Sequence, residues 1–116
     1  MRLVLTFCML CLLAVPVHAA FQGSGTLFAV ISIAEAKKAV DETHVMLEGT
    51  IVEKLAGHDD KYRFKDDVGD TIIVEIDDEV FDGRTVTPSI KIRITGEVDA
   101  ERLRDNEIDV KRIDIL

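Results

Sequence analysis

The sequence predicts an all-β domain of five strands closed into a small barrel, with one short helix before the first strand. Three observations carry this reading. Apolar residues recur at every second position in several runs between residues 45 and 115, the period of a strand with one buried face. Glycine interrupts two of these runs, at Gly49 and Gly96, where a strand interior is weakened unless it bends or bulges. Clusters of Asp and Gly, the residues that favour turns, separate the runs.

The first 19 residues stand apart from this pattern. Met1-Arg2 is a short basic start, and residues 3–15 form an uncharged apolar run ended by Pro16. Val17-His18-Ala19 then supplies small or apolar residues at the positions a signal peptidase reads, so cleavage is expected between Ala19 and Ala20. The run is shorter than the roughly 20 residues of a membrane span. The expected destination is a bacterial periplasm. This segment holds 15 apolar residues, both cysteines and only one charged residue, Arg2. Without it the chain has 97 residues, no cysteine and a formal charge of -9, against -8 for all 116 residues. Such a domain has no disulfide to stabilise it and relies on its core. Its acidity opposes general nucleic-acid binding, which needs a basic surface.

Residues 20–30 read as a flexible arm containing Gly23-Ser24-Gly25, and residues 31–116 as the folded domain. Ser32-Ile33-Ala34-Glu35 is a capping box that opens a helix running to about Val40, with Ile33, Ala36, Ala39 and Val40 on one face. The period then changes to two. Val45, Leu47, Ile51 and Leu55 share one side of a long first strand, bent at Gly49, and Glu48, Thr50, Val52 and Lys54 share the other. After the turn at Gly57-His58-Asp59-Asp60, Tyr62 and Phe64 alternate with Arg63 and Lys65. A second turn, residues 66–70, leads into a third strand with Ile72, Val74 and Ile76 on one side. Asp77-Asp78-Glu79 suits the start of one helical turn, and Gly83 its end. Ile90, Ile92, Ile94 and Val98 alternate with Lys91, Arg93, Thr95 and Glu97 in strand four. In strand five Ile108 and Val110 change parity to Ile113 and Ile115, which predicts a bulge near Lys111-Arg112.

Five strands, a long kinked first one and an interruption between the third and fourth are the pattern of an OB-fold, a five-stranded Greek-key barrel. An immunoglobulin-like sandwich is the competing choice, but it needs about seven strands. Strand four or five is a possible edge for pairing with a second copy.

Particular segments of the domain resemble a known family. They are residues 45–52 (Val-Met-Leu-Glu-Gly-Thr-Ile-Val), residues 62–66 with Gly69 following, residues 72–77 and residues 83–88. The most specific are Ile94-Thr95-Gly96-Glu97-Val98-Asp99 and Glu107-Ile108-Asp109-Val110. In order and spacing, over residues 21–116, the chain resembles the bacterial OB-fold (BOF) proteins. Phe81 stands where that resemblance leads one to expect tryptophan. The resemblance implies a non-enzymatic periplasmic protein linked to envelope stress tolerance, with no cofactor and no catalytic set to carry over.

The residues agree with the absence of an obvious catalytic centre. Ser24, Ser32 and Ser89 fall in an arm, a cap and a strand start, and the domain has only His44 and His58 to serve as a base. Asp66, Asp67 and Asp70, like Asp77, Asp78, Glu79 and Asp82, lack EF-hand spacing and read as turn and helix-start residues. A divalent-metal protein, or a metal-dependent enzyme, built on these clusters is the alternative function. The favoured function is a binding or interaction protein. Arg63 and Lys65 on strand two and Lys91 and Arg93 on strand four point away from the apolar face, and OB-folds bind oligonucleotides and oligosaccharides around strands two and three. Tyr62, Arg63, Lys65, Lys91 and Arg93 are therefore the candidate ligand-binding residues. Pairing of these cations with Glu48, Glu75 and Glu97 across strands is the plainer reading. The ligand classes are a glycan, a small molecule or, given the acidic balance, a cationic peptide. An envelope component or protein is the expected partner, with no nucleic acid and no stable membrane insertion.

Overall fold

The computed structural model describes residues 29–116. The leader and all but the end of the arm lie outside the described residues. The elements are α1 (Ile33–Ala36), β1 (His44–Lys54), β2 (Lys61–Lys65), β3 (Thr71–Glu75), α2 (Asp78–Phe81), β4 (Ile92–Asp99) and β5 (Glu107–Ile115). The hydrogen-bonded order is β1-β2-β3-β5-β4, and β4 returns to β1 so that the sheet closes. The pairings are antiparallel except β3 with β5, a short parallel ladder from Ile73↔Glu107 to Glu75↔Asp109. β4 therefore has strand partners on either side, whereas β5 has β3 beside it only from Glu107 to Asp109, and its later residues pair with β4 alone among the described strands.

Closure depends on β1 changing partners along its length. His44 to Gly49 pair with β4, while Thr50 to Lys54 pair with β2. The change falls at Gly49, whose buried face meets the backbone of Lys65 so closely that a Cβ would run into that residue's carbonyl oxygen. Gly96 repeats the device in β4, where a Cβ would strike the carbonyl oxygen of Asp109. On β5 the register moves from Thr95↔Arg112 to Gly96↔Val110, leaving Lys111 as the extra residue of a bulge. The parity change read from the sequence has this cause.

The core consists of the inward side chains of all five strands and, with them, Ile33 and Ala36 of α1. Leu47, Phe64, Val74, Ile92, Ile94 and Ile108 are fully enclosed. No polar or charged residue among those described is buried. A helix of four residues is not stable by itself, because nucleation costs more than one turn returns. Here both ends are held. Ser32 and Glu35 form the expected capping box, and Asp66 from the β2–β3 turn accepts the Ile33 N–H at 3.1 Å. At the other end Asn106 Nδ2 lies 3.1, 3.1 and 2.9 Å from the carbonyl oxygens of Ala36, Lys37 and Ala39. These contacts satisfy carbonyls that a helix end leaves without partners.

Three sequence expectations are corrected. The helix stops at Ala36 rather than running to Val40: the next bonds, Lys38 N–H to Glu35 and Ala39 N–H to Ala36, tighten to i→i+3, Asn106 caps the Lys37 and Ala39 carbonyls, and Val40 is 74% exposed. Strand four begins at Ile92, since the Ile90 N–H closes a turn onto the Thr87 carbonyl. Leu55 lies past the end of β1, beyond a register shift at Val52, and Ile115 is 47% exposed at the last position of β5. The turn at α2 ends in left-handed backbone, at Asp82 as well as at Gly83.

Two outcomes follow. Gly49→Ala should lower stability by about 2–3 kcal/mol, because the clash is with backbone that closes the barrel. Asn106→Ala should cost about 1–3 kcal/mol by removing the donor to the Lys37 and Ala39 carbonyls. Urea unfolding midpoints, compared at unchanged slope, check both.

Candidate functional site

The parallel ladder between β3 and β5 covers only three residues of each strand, so the start of β3 extends past it. A cleft of about 270 Å³ lies at this place. Its walls are Arg63 of β2, Thr71, Ile72 and Ile73 of β3, Lys37 beside α1, and Arg104, Asp105, Asn106 and Glu107 from the β4–β5 connection. The cleft combines the outward face of β2 and β3 with the loop before β5, the region through which OB barrels present ligand surfaces.

Each wall has a structural cause. Arg63 is opposite Ile73 and donates from Nε to Glu53 of β1 at 2.7 Å, an exposed pair. Arg104 organises the loop. Its guanidinium is 3.1 Å from Asp99, 3.1 Å from Glu101 and 3.5 Å from Glu107, and it also donates to the carbonyls of Asp99 and Asp105. Between these contacts Leu103 takes left-handed backbone (φ 70°) and is 99% exposed. Glu107, with its side chain 14% exposed, also accepts from Lys61 Nζ at 2.9 Å. That hydrogen bond raises the Lys61 pKa despite the opposing effect of burial. Glu107 is thus neutralised from two sides.

Of the five residues singled out in the sequence, the cleft contains Arg63. Lys65 is exposed on the same outward face, opposite Thr50 and Thr71. Lys91 donates to Asp67 at 2.8 Å, which raises its pKa, and Arg93 pairs with Glu48 at 2.6 Å. Arg93 lies on β4, across β1 from β2, and Lys91 immediately precedes that strand. Tyr62 faces the opposite way from Arg63. Its ring meets Phe81 edge-on at 5.6 Å, with Lys54 Nζ 5.9 Å from its centroid. Cross-strand ion pairing thus accounts for Arg63 with Glu53 and Arg93 with Glu48, while Lys91 pairs with Asp67 of the β2–β3 turn. Lys37, Thr71, Ile73, Arg104 and Asn106 had no separate signal in the sequence beyond the charged connection before strand five.

A second cavity of about 180 Å³ is lined by Asp41, Glu42, Glu97, Val98, Asp99 and Asp109. Several of these carboxylates already serve the fold. Asp41 accepts the Ala100 N–H at 2.8 Å, Asp99 pairs with Arg104, and Asp109 with Lys111 at 3.1 Å. In the β2–β3 turn Asp66 accepts N–H groups of Ile33, Val68 and Asp70. Among the described residues no group of three or more His, Cys, Asp or Glu side chains is placed to hold a metal ion. Nor is any described helix long and apolar enough to cross a membrane.

Comparison with known proteins agrees with the topology. The family model for the bacterial OB fold (BOF) protein matches residues 14–115. The calcium-regulated OB-fold protein CarO of Pseudomonas aeruginosa is 36% identical over 102 residues, 88% of this chain and 84% of CarO. Protein YgiW of Escherichia coli K12 is 46% identical over 84 residues, 72% of this chain and 62% of YgiW. A solved structure of YgiW superposes with a TM-score of 0.70 at 44% identity, covering 76% of this chain and 90% of that one. The HINb domain of p204, 17% identical with a TM-score of 0.55, shares the fold. With a family match across nearly the whole chain and the strand order of its barrel, the chain belongs to the bacterial OB-fold (BOF) family.

Proposed function

We propose that this protein is a non-enzymatic binding protein of the bacterial periplasm, contributing to envelope stress tolerance, and that it holds a small molecule or glycan in the cleft beside β3. The observation that carries the reading is the cleft itself. It joins strand-face and loop residues on a rigid barrel, and its loop wall is fixed by Arg104. The signal-peptide-like leader supports export, and the family membership supports the assignment to the envelope. A binding role also suits side chains engaged mainly in fixing the structure rather than arranged as nucleophile and base.

A second reading has its own observation. The acidic cavity would suit a cationic peptide, since acidic groups in a concave site concentrate potential. One titration separates the two. Neutral and charged sugars and a lysine-rich peptide are added in turn to the isotope-labelled protein, expressed from its own leader, and backbone amide shifts are followed. The first reading expects shifts at Thr71, Ile73 and Asn106, and the second at Glu42, Glu97 and Val98. Shifts at neither set with any probe would remove both.

The name of CarO records regulation by calcium, which for this chain raises metal binding as a question. The aspartates of the β2–β3 turn act as caps and ion-pair partners here. Melting of the protein is therefore expected to be unchanged between millimolar calcium and EDTA. An upward shift with calcium would signal binding to the folded state and favour the metal reading.

A further inference from the structure

The charges in the cleft are not equivalent. Arg104 is committed to Asp99 and Glu101, and Lys61 with Arg104 neutralises Glu107. Asn106 directs its amide at the carbonyls of Ala36, Lys37 and Ala39, which masks the electronegative end of α1. Two cations are left to set the local field. Lys37 has no ion pair among the described residues, and Arg63 engages Glu53 through Nε, leaving its two terminal nitrogens without a described partner. The Thr71 hydroxyl likewise has no hydrogen-bond partner among the described residues. Ile73 adds an apolar wall, and the exposed Asp105 carboxylate adds an acceptor.

We infer that the cleft recognises a compact, hydroxylated anion, with its carboxylate or phosphate group at Lys37 and Arg63 and its hydroxyl groups toward Thr71 and Asp105. The inference rests on the cleft being the binding site and names the chemistry that the site selects. The two cations and a hydroxyl offer N–H and O–H donors to an anion, and charge-assisted hydrogen bonds are the stronger kind. Asp105 opposes a bare anion and favours one that also brings donors. At about 270 Å³ the cleft is smaller than the roughly 300–1,000 Å³ of sites for drug-sized ligands, so the ligand is about the size of a single sugar ring. The overall negative charge does not prevent this, because exposed charges beyond about 8–10 Å are largely screened at physiological salt.

The test uses glucuronate, glucose 6-phosphate and glucose, three rings that differ in their charged group. The full chain expressed from its leader is titrated with each, and amide shifts at Thr71, Ile73 and Asn106 are fitted to affinities. The expected result is binding of one or both anions at least fivefold tighter than glucose. Lys37→Glu should weaken that binding at least fivefold, whereas Lys111→Glu, on the β5 bulge, should change it less than twofold. Preference between glucuronate and glucose 6-phosphate tells carboxylate from phosphate. Equal binding of glucose and both anions at these amides would overturn the anion inference while leaving the cleft as the site. Anion binding that Lys37→Glu does not weaken would also overturn it. No shift at these amides with any of the three rings would overturn it as well, and a shift there with another probe would still uphold the cleft.

Discussion

The contact on which much of this structure depends is the one between Asn106 and the end of α1. One side-chain amide, from the residue before β5, reaches carbonyls at Ala36, Lys37 and Ala39, some seventy positions earlier in the chain. Without such a donor a four-residue helix would have little reason to persist in water. With it, and with Asp66 at the other end, Ile33 and Ala36 are held in the core among residues of all five strands. The same contact brings Lys37 beside the β4–β5 loop, and so makes one wall of the cleft. That contact therefore serves both the core and the cleft.

The barrel beneath it is shaped by two close backbone approaches. At Gly49 and Gly96 neighbouring strands come within the space a Cβ would occupy, and at each the sheet departs from a simple ladder. β1 changes partners at the first, and the Lys111 bulge sits against the second. A sheet of five strands needs such points of strong curvature to close, since regular pairing alone produces a twisted but open surface. The parallel β3–β5 ladder is short, and the overhang that results is the floor of the cleft.

How far the sequence revealed this depended on the range of the interactions involved. Period-two alternation marked all five strands, because burial of one face is written along each strand. The capping box at Ser32 was visible because both partners lie within four residues. The bulge at Lys111 was visible as a parity change between Val110 and Ile113. The end of α1 was misplaced because the residue that caps the turn after it, Asn106, is remote. Glu48 was foreseen as a partner and meets Arg93, but the partners of Arg63 and Lys91 were missed for a related reason. Glu53 meets Arg63 only because Val52 shifts the register, and Lys91 reaches Asp67 across a turn. The cleft was hardest to foresee, because Lys37, Thr71 and Glu107 converge only after the barrel has closed.

Net charge is a poor guide to the site for the same reason. The carboxylates outnumber the cations by 22 to 14 over the whole chain, yet many are fixed as acceptors within the fold. Asp66 caps a helix and a turn, Asp41 holds the Ala100 N–H, and Glu107 is enclosed by two cations. A carboxylate used in this way contributes less to the field outside the protein than its formal charge suggests, because its partner's charge or dipole lies within a few ångströms. A chain can then be strongly acidic by composition and still present a local basic opening. In this barrel that opening lies where α1 meets the β4–β5 loop, and its sign is set by which cations the fold leaves unengaged.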